Sequence, residues 1–153
     1  MRIAIGNDHG GLALRTPLIE FIKSTGHQVI DFGTDQPESV DYPHIAWQTA
    51  QAVRDGQADL GVVLCGTGIG SSICANKVEG AYCALCSDVY SARMARSHNN
   101  ANVIALGARV LGPDLAVDIL KSFLETQPSN EPRHVRRRQQ VQQIEAGNEL
   151  VQE

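Results

Sequence analysis

Short, nearly continuous apolar runs alternate along this chain with stretches in which apolar residues recur at helical spacing. Arg2 to Ile5, Gln28 to Phe32, Leu60 to Cys65, Ala81 to Leu85 and Val103 to Leu106 read as strands. Between them, Leu14, Leu18, Phe21 and Ile22 mark one helix face, Ile45, Ala46, Ala50 and Val53 a second, and Leu115, Ile119, Phe123 and Leu124 a third. Gly26 and Gly56 close helices, Pro43 and Pro113 suit first turns, and Ser87 or Asp88 caps a helix ending near His98. A breaker-rich link from Pro128 to Pro132 leads into a final polar helix. Strands without a polar face, alternating with helices, predict a parallel sheet covered on both sides. The expected fold is α/β: a doubly wound, Rossmann-like sheet of five strands plus a C-terminal helix, with residues 1–153 as a single domain.

In such a fold ligands bind beyond the carboxyl ends of the strands. That rule directs attention to Val62–Ser72, V-V-L-C-G-T-G-I-G-S-S, which reads as strand, tight turn and a helix running to about Lys77. Gly66, Gly68 and Gly70 let successive backbone N–H groups converge on one concavity, where the helix dipole adds positive potential. Cys65 stands at its mouth, where that potential favours thiolate over thiol and suits a nucleophile or a base. Close helix–strand packing is the competing explanation of the glycines, and a small buried residue that of the cysteine. The spacing excludes a dinucleotide G-x-G-x-x-G turn, since Ser71 and Ile73 stand where a third glycine is needed, and a P-loop, since no Lys follows Gly70.

The 153 residues are 42% hydrophobic and carry a formal net charge of -4, which argues against general affinity for nucleic acid or membranes. No apolar run reaches membrane-spanning length and no signal-like start is present, so a cytoplasmic location is expected. Cysteines at 65, 74, 83 and 86 are expected to stay reduced, and Cys83 and Cys86, at odd separation on a strand, to point to opposite faces. With no second matching pair, the C-x-x-C at 83–86 is not expected to hold zinc.

Positive charge is concentrated at Arg133, Arg136, Arg137 and Arg138. Helical spacing places Arg133 and Arg137 on one face and turns Arg138 away; paired guanidinium groups suit a phosphate, whereas the segment lacks the stacking aromatics of a single-strand binder. A solvated basic face is the plain alternative. Asp8 and His9 follow the first strand in a glycine-flanked turn, as a cap or as ligand contacts. His98-Asn99-Asn100 ends the fourth helix, where a histidine can simply stabilise the helix C-terminus.

Taken together, D-H-G-G at 8–11, D-Y-P-H at 41–44, C-G-T-G-I-G at 65–70, A-N-K at 75–77, S-H-N-N-A-N-V at 97–103, G-A-R at 107–109 and R-H-V-R-R at 133–137 resemble the ribose-5-phosphate isomerase B family, which includes galactose-6-phosphate isomerase subunits. The resemblance spans almost the whole chain in order. It implies an aldose–ketose isomerase of small phosphorylated sugars, free of metal and organic cofactor, with sites formed between subunits of a homodimer, a tetramer being the alternative. By that likeness Cys65 moves a proton between C1 and C2, His98 helps open the sugar ring and Thr67 bonds the reacting end. Gly66, Gly68, Ile69 and Gly70 hold the developing oxyanion, and Asp8, His9, Tyr42, Asn99, Arg109, Arg133 and Arg137 bind sugar and phosphate. Asn7 and Tyr82 depart from the family pattern, Tyr82 standing where relatives often have Arg.

Overall fold

The structure is a computed structural model that describes residues 1–150. It contains strands β1 (Arg2–Asn7), β2 (Gln28–Asp31), β3 (Leu60–Cys65), β4 (Cys83–Leu85) and β5 (Val103–Gly107). The helices are α1 (Leu12–Ser24), α2 (Tyr42–Arg54), α3 (Ile69–Ala75), α4 (Val89–Ser97), α5 (Pro113–Glu125) and α6 (Pro132–Glu145), with a 3-10 turn at His9–Gly11. All strand pairs are parallel and their order is β2-β1-β3-β5-β4. The chain winds outward from β1 to β2, then resumes at β3 on the other side. The crevice between β1 and β3 is therefore the switch point of the sheet, where ligands of doubly wound folds sit.

Alternation along the strands sorts the core. Ile3 and Ile5, Leu60, Val62 and Leu64, and Ile104 and Leu106 face Leu14, Leu18 and Ile22 of α1 and Ile119, Leu120 and Phe123 of α5. On the other face Val63, Val103 and Ala105 meet Ala46 and Ala50 of α2 and Ala75 of α3. Small residues dominate this second layer, so α2 and α3 approach the backbone closely. Cys86 belongs to the first layer, and Cys83 packs against the second.

β1 runs on to Asn7 and β5 to Gly107, β2 stops at Asp31, and larger differences from the sequence reading occur in β4, α3 and α5. β4 begins at Cys83 rather than Ala81, because the Tyr82 N–H is taken by Asn102 Oδ1 and the Tyr82 carbonyl accepts from Asn102 and Val103. α3 starts at Ile69 and stops at Ala75, where Asn76 leaves the helix to bond the Cys83 N–H and carbonyl. Leu115 is exposed rather than part of the buried α5 face, which begins at Ala116. Among the described residues no helix is long and apolar enough to cross a membrane.

Candidate active site

β3 delivers Cys65 to the carboxyl edge of the sheet, buried beside Gly107 at the end of β5. The N–H of Gly68 donates to Cys65 Sγ at 3.1 Å, a donor placed to hold negative charge on sulfur. That contact depends on a left-handed backbone at Gly68 (φ 77°), which caps α3; a Cβ there would also lie 2.5 Å from Leu85 Cδ1. Thr67 turns its Oγ1 back toward the Ile69 N–H (3.4 Å). The packing explanation of the glycines also holds in part, since a Cβ on Gly70 would strike the Tyr42 ring at 2.7 Å.

The neighbouring strands close this edge. Asp8 N–H bonds the Leu64 carbonyl, and a Cβ on Gly10 would meet the Gly66 nitrogen at 2.9 Å, so the D-H-G-G turn lies against the glycine loop. Asp8 Oδ1 accepts the Gly11 N–H at 2.9 Å, the capping contact expected of a turn aspartate. His9 Nδ1 accepts the Val40 N–H at 3.3 Å, and Asn7, fully buried, donates to the carbonyls of Asp8 and Thr34. Asn7 thus ties the loop before α2 to the turn. From β5, Ala108 and Arg109 N–H groups bond the Cys65 and Gly66 carbonyls, which sets the Arg109 side chain against Gly66. Cys65, Gly66, Thr67, Gly68, Ile69, Gly70, Asp8, His9, Tyr42 and Arg109 thereby share one edge.

The other candidates lie elsewhere. α4 runs back across the sheet, so His98, its C-cap, sits at the amino end of β5, whereas Cys65 pairs with the carboxyl end of the same strand. At about 3.3 Å per residue, β5 alone separates the two by more than 10 Å. Asn99 and Arg137 line a cavity of about 340 Å³ together with Asn76, Tyr82, Arg138 and Gln142. Arg133 and Arg137 project from α6, exposed, with no carboxylate partner among the described ion pairs. A single chain therefore carries two separate clusters.

Three residues organise the second cluster that spacing did not single out. Arg96, buried and with its pKa lowered by that burial, donates to Asn100 Oδ1 (3.0 Å) and the Ala101 carbonyl (2.6 Å) and lies over Phe123. It pins the turn in which Asn100 takes a left-handed backbone (φ 51°). Arg138 does not turn idly away: it donates to the His98 carbonyl (3.3 Å) and the Ser129 carbonyl (3.0 Å), fastening α6 to the end of α4. His134 is the one buried residue of α6. Nothing in R-H-V-R-R marks that its ring turns inward, so the sequence offered no signal for it.

A family model described as Ribose/Galactose Isomerase matches residues 3–141. The chain belongs to the ribose/galactose isomerase family. Ribose-5-phosphate isomerase B of Escherichia coli is 43% identical over 144 residues, 94% of this chain and 96% of that protein. A D-erythrulose-4-phosphate isomerase of Pectobacterium atrosepticum is 44% identical over 83% of this chain and 84% of its own length. The Clostridium thermocellum ribose-5-phosphate isomerase B structure superposes with a TM-score of 0.93 at 48% identity, covering 96% of this chain and 99% of that one. Membership makes the protein a sugar-phosphate isomerase and accounts for the five-stranded parallel sheet.

Proposed function

We propose that this member of the family interconverts ribose 5-phosphate and ribulose 5-phosphate through an enediolate, with Cys65 as the base. The observation that carries the reading is the Gly68 N–H aimed at Cys65 Sγ (3.1 Å) within a glycine loop at the switch point of the sheet. A thiolate there takes the proton from C2 of the open-chain aldose. The C–H electron pair becomes the C1–C2 double bond and the carbonyl pair moves onto O1. Return of the proton to C1, with a proton passing from O2 to O1, completes the ketose. Backbone N–H groups from Gly66 to Gly70 stabilise the charge that develops on oxygen, and Thr67 bonds the reacting end. No step requires a metal ion or an organic cofactor.

Ribose 5-phosphate is a closed furanose for most of its lifetime, and His98 assists its opening. Asp8, His9, Tyr42, Asn99 and Arg109 bind the sugar, and Arg133 with Arg137 takes the phosphate. Because one chain holds these groups in two clusters, the working site is composite: Cys65 and its loop from one copy, His98, Asn99, Arg133 and Arg137 from the other. Exposed Ile69 and Ile73, one turn apart on α3, and exposed Leu85 beside Gly68 supply apolar surface around the loop for a second copy to cover. A homodimer is the smallest assembly that satisfies this.

A coupled assay with ribose 5-phosphate, allose 6-phosphate, galactose 6-phosphate and erythrose 4-phosphate tests the assignment. The expected result is highest kcat/KM on ribose 5-phosphate. A higher value on another sugar reassigns the substrate, and turnover of none makes the protein a sensor of sugar phosphates rather than an isomerase.

A further inference from the structure

The imidazole rings of His98 and His134 lie face to face, centroids 4.1 Å apart and planes within 8°. His134 comes from α6, His98 from the end of α4, and among the described residues no other aromatic ring stacks on either. Among the described hydrogen bonds none that reaches this corner ends on the His98 ring: Arg138 donates to the His98 and Ser129 carbonyls, and Arg96 to Asn100 Oδ1 and the Ala101 carbonyl. They fix where the His98 backbone lies and leave the plane of its ring to the stack. His134 is only 6% exposed although its neighbours Arg133, Arg136 and Arg137 are open to solvent, so the helix gives up its one buried position to this contact.

We propose that His134 is a positioning residue for sugar-ring opening, holding the plane of the His98 imidazole through the stack. The proposal rests on the preceding reading, in which His98 serves the closed sugar. A general acid or base acts only with its reactive nitrogen aligned on the transferred proton, and misplacement by about 1 Å costs on the order of a hundredfold in rate. A side chain at a helix end with free rotation about χ1 and χ2 would lose that alignment; the facing ring removes the freedom. The charged and titratable groups that face His134 are Arg133, Arg137 and Arg138 of its own helix and His98 across the stack. Burial first, then the nearness of His98 and of the three arginines, hold the His134 pKa below the ordinary imidazole value. That shift favours the neutral form of the His134 ring in the stack.

Ribulose 5-phosphate separates this role from a structural one. Its 5-oxygen carries the phosphate, so it has no furanose form, and exchange of its C1 proton for deuterium in D₂O needs the Cys65 base and the phosphate grip but no ring opening. His134→Ala is expected to lower kcat/KM for ribose 5-phosphate by about tenfold or more and to leave the rate of deuterium wash-in at C1 of ribulose 5-phosphate within about twofold of the parent. His134→Phe keeps a stacking ring and is expected to retain ribose 5-phosphate turnover within about threefold. Equal losses in both reactions would mean that His134 merely supports α6 and its arginines, and no loss in either would make the stack idle; each result overturns the proposal. So would a Phe variant as impaired as the Ala variant. A parent enzyme with neither turnover nor wash-in would instead overturn the isomerase reading on which the proposal stands.

Discussion

At the scale of single residues, the four cysteines show how position decides chemistry. Burial raises the thiol of Cys86 to about 11 and pushes Cys83 higher still, while Cys74, which bonds the Pro43 carbonyl, is also raised by burial. These three persist as thiols near neutral pH. Cys65 accepts the Gly68 N–H at its sulfur, and among the four it alone stands at the carboxyl end of a central strand. Cys65→Ala is expected to lower kcat on ribose 5-phosphate at least about a hundredfold with substrate affinity nearly unchanged, since general acid–base catalysis contributes that much and the phosphate contacts are untouched. Steady-state kinetics with a binding measurement on the variant checks it; a loss under about tenfold assigns the proton to another group. The place of Cys65, at the end of a strand and before alternating glycines, could be read from the sequence. His134 could not, because nothing in R-H-V-R-R distinguishes a ring that turns inward from one that remains in solvent.

At the scale of elements, the strands and most helices were legible because each apolar run had one consistent partner face. β4 was overestimated because Ala81 and Tyr82 look like strand but spend their backbone groups on Asn102 and Val103. α6 was legible as a helix but not in its docking, which rests on polar contacts that leave no periodic trace. Arg138 holds its first half, and Glu145 holds its end by accepting from the Gly80 N–H (3.0 Å) and the Tyr82 hydroxyl (2.7 Å). Tyr82, the departure from the family pattern, is thus an anchor for the arginine helix. Burial and then the bond to Glu145 raise its pKa to about 12, against about 10 unfolded. The folded state holds this proton longer than the unfolded one, so the stabilisation is complete below pH 10 and is lost as pH rises from about 10 to 12. Urea unfolding across that window is expected to show a smaller alkaline loss for Tyr82→Phe than for the parent; identical curves would mean the hydroxyl is not so held. Arg137→Ala tests the phosphate contact proposed for α6. A charge-assisted phosphate contact is worth about 1.5–3 kcal/mol, so KM for ribose 5-phosphate is expected to rise about tenfold or more. A solvated arginine gives at most about 1 kcal/mol, and a KM within about twofold of the parent at low ionic strength would return the helix to that role.

At the scale of the whole molecule, chain order carried the doubly wound topology and hence the switch point, but it concealed how far the candidate residues are spread. Asp8, Cys65 and Arg109 all follow strands and meet at one edge; His98 precedes a strand and α6 follows the last one, so both lie at the far end. The proposed chemistry joins what one copy keeps apart. Subunit mixing tests this most directly, using Cys65→Ala and His98→Asn, each purified and then unfolded and refolded together in equal amounts. In a mixed dimer one site loses both residues and the other regains both. The composite site predicts recovery of ribose 5-phosphate turnover to about a quarter of the parent activity per chain, since random pairing makes about half the dimers mixed and each has one intact site. Activity that stays at the average of the two separate variants would contradict it, because each chain would then be carrying its own incomplete site.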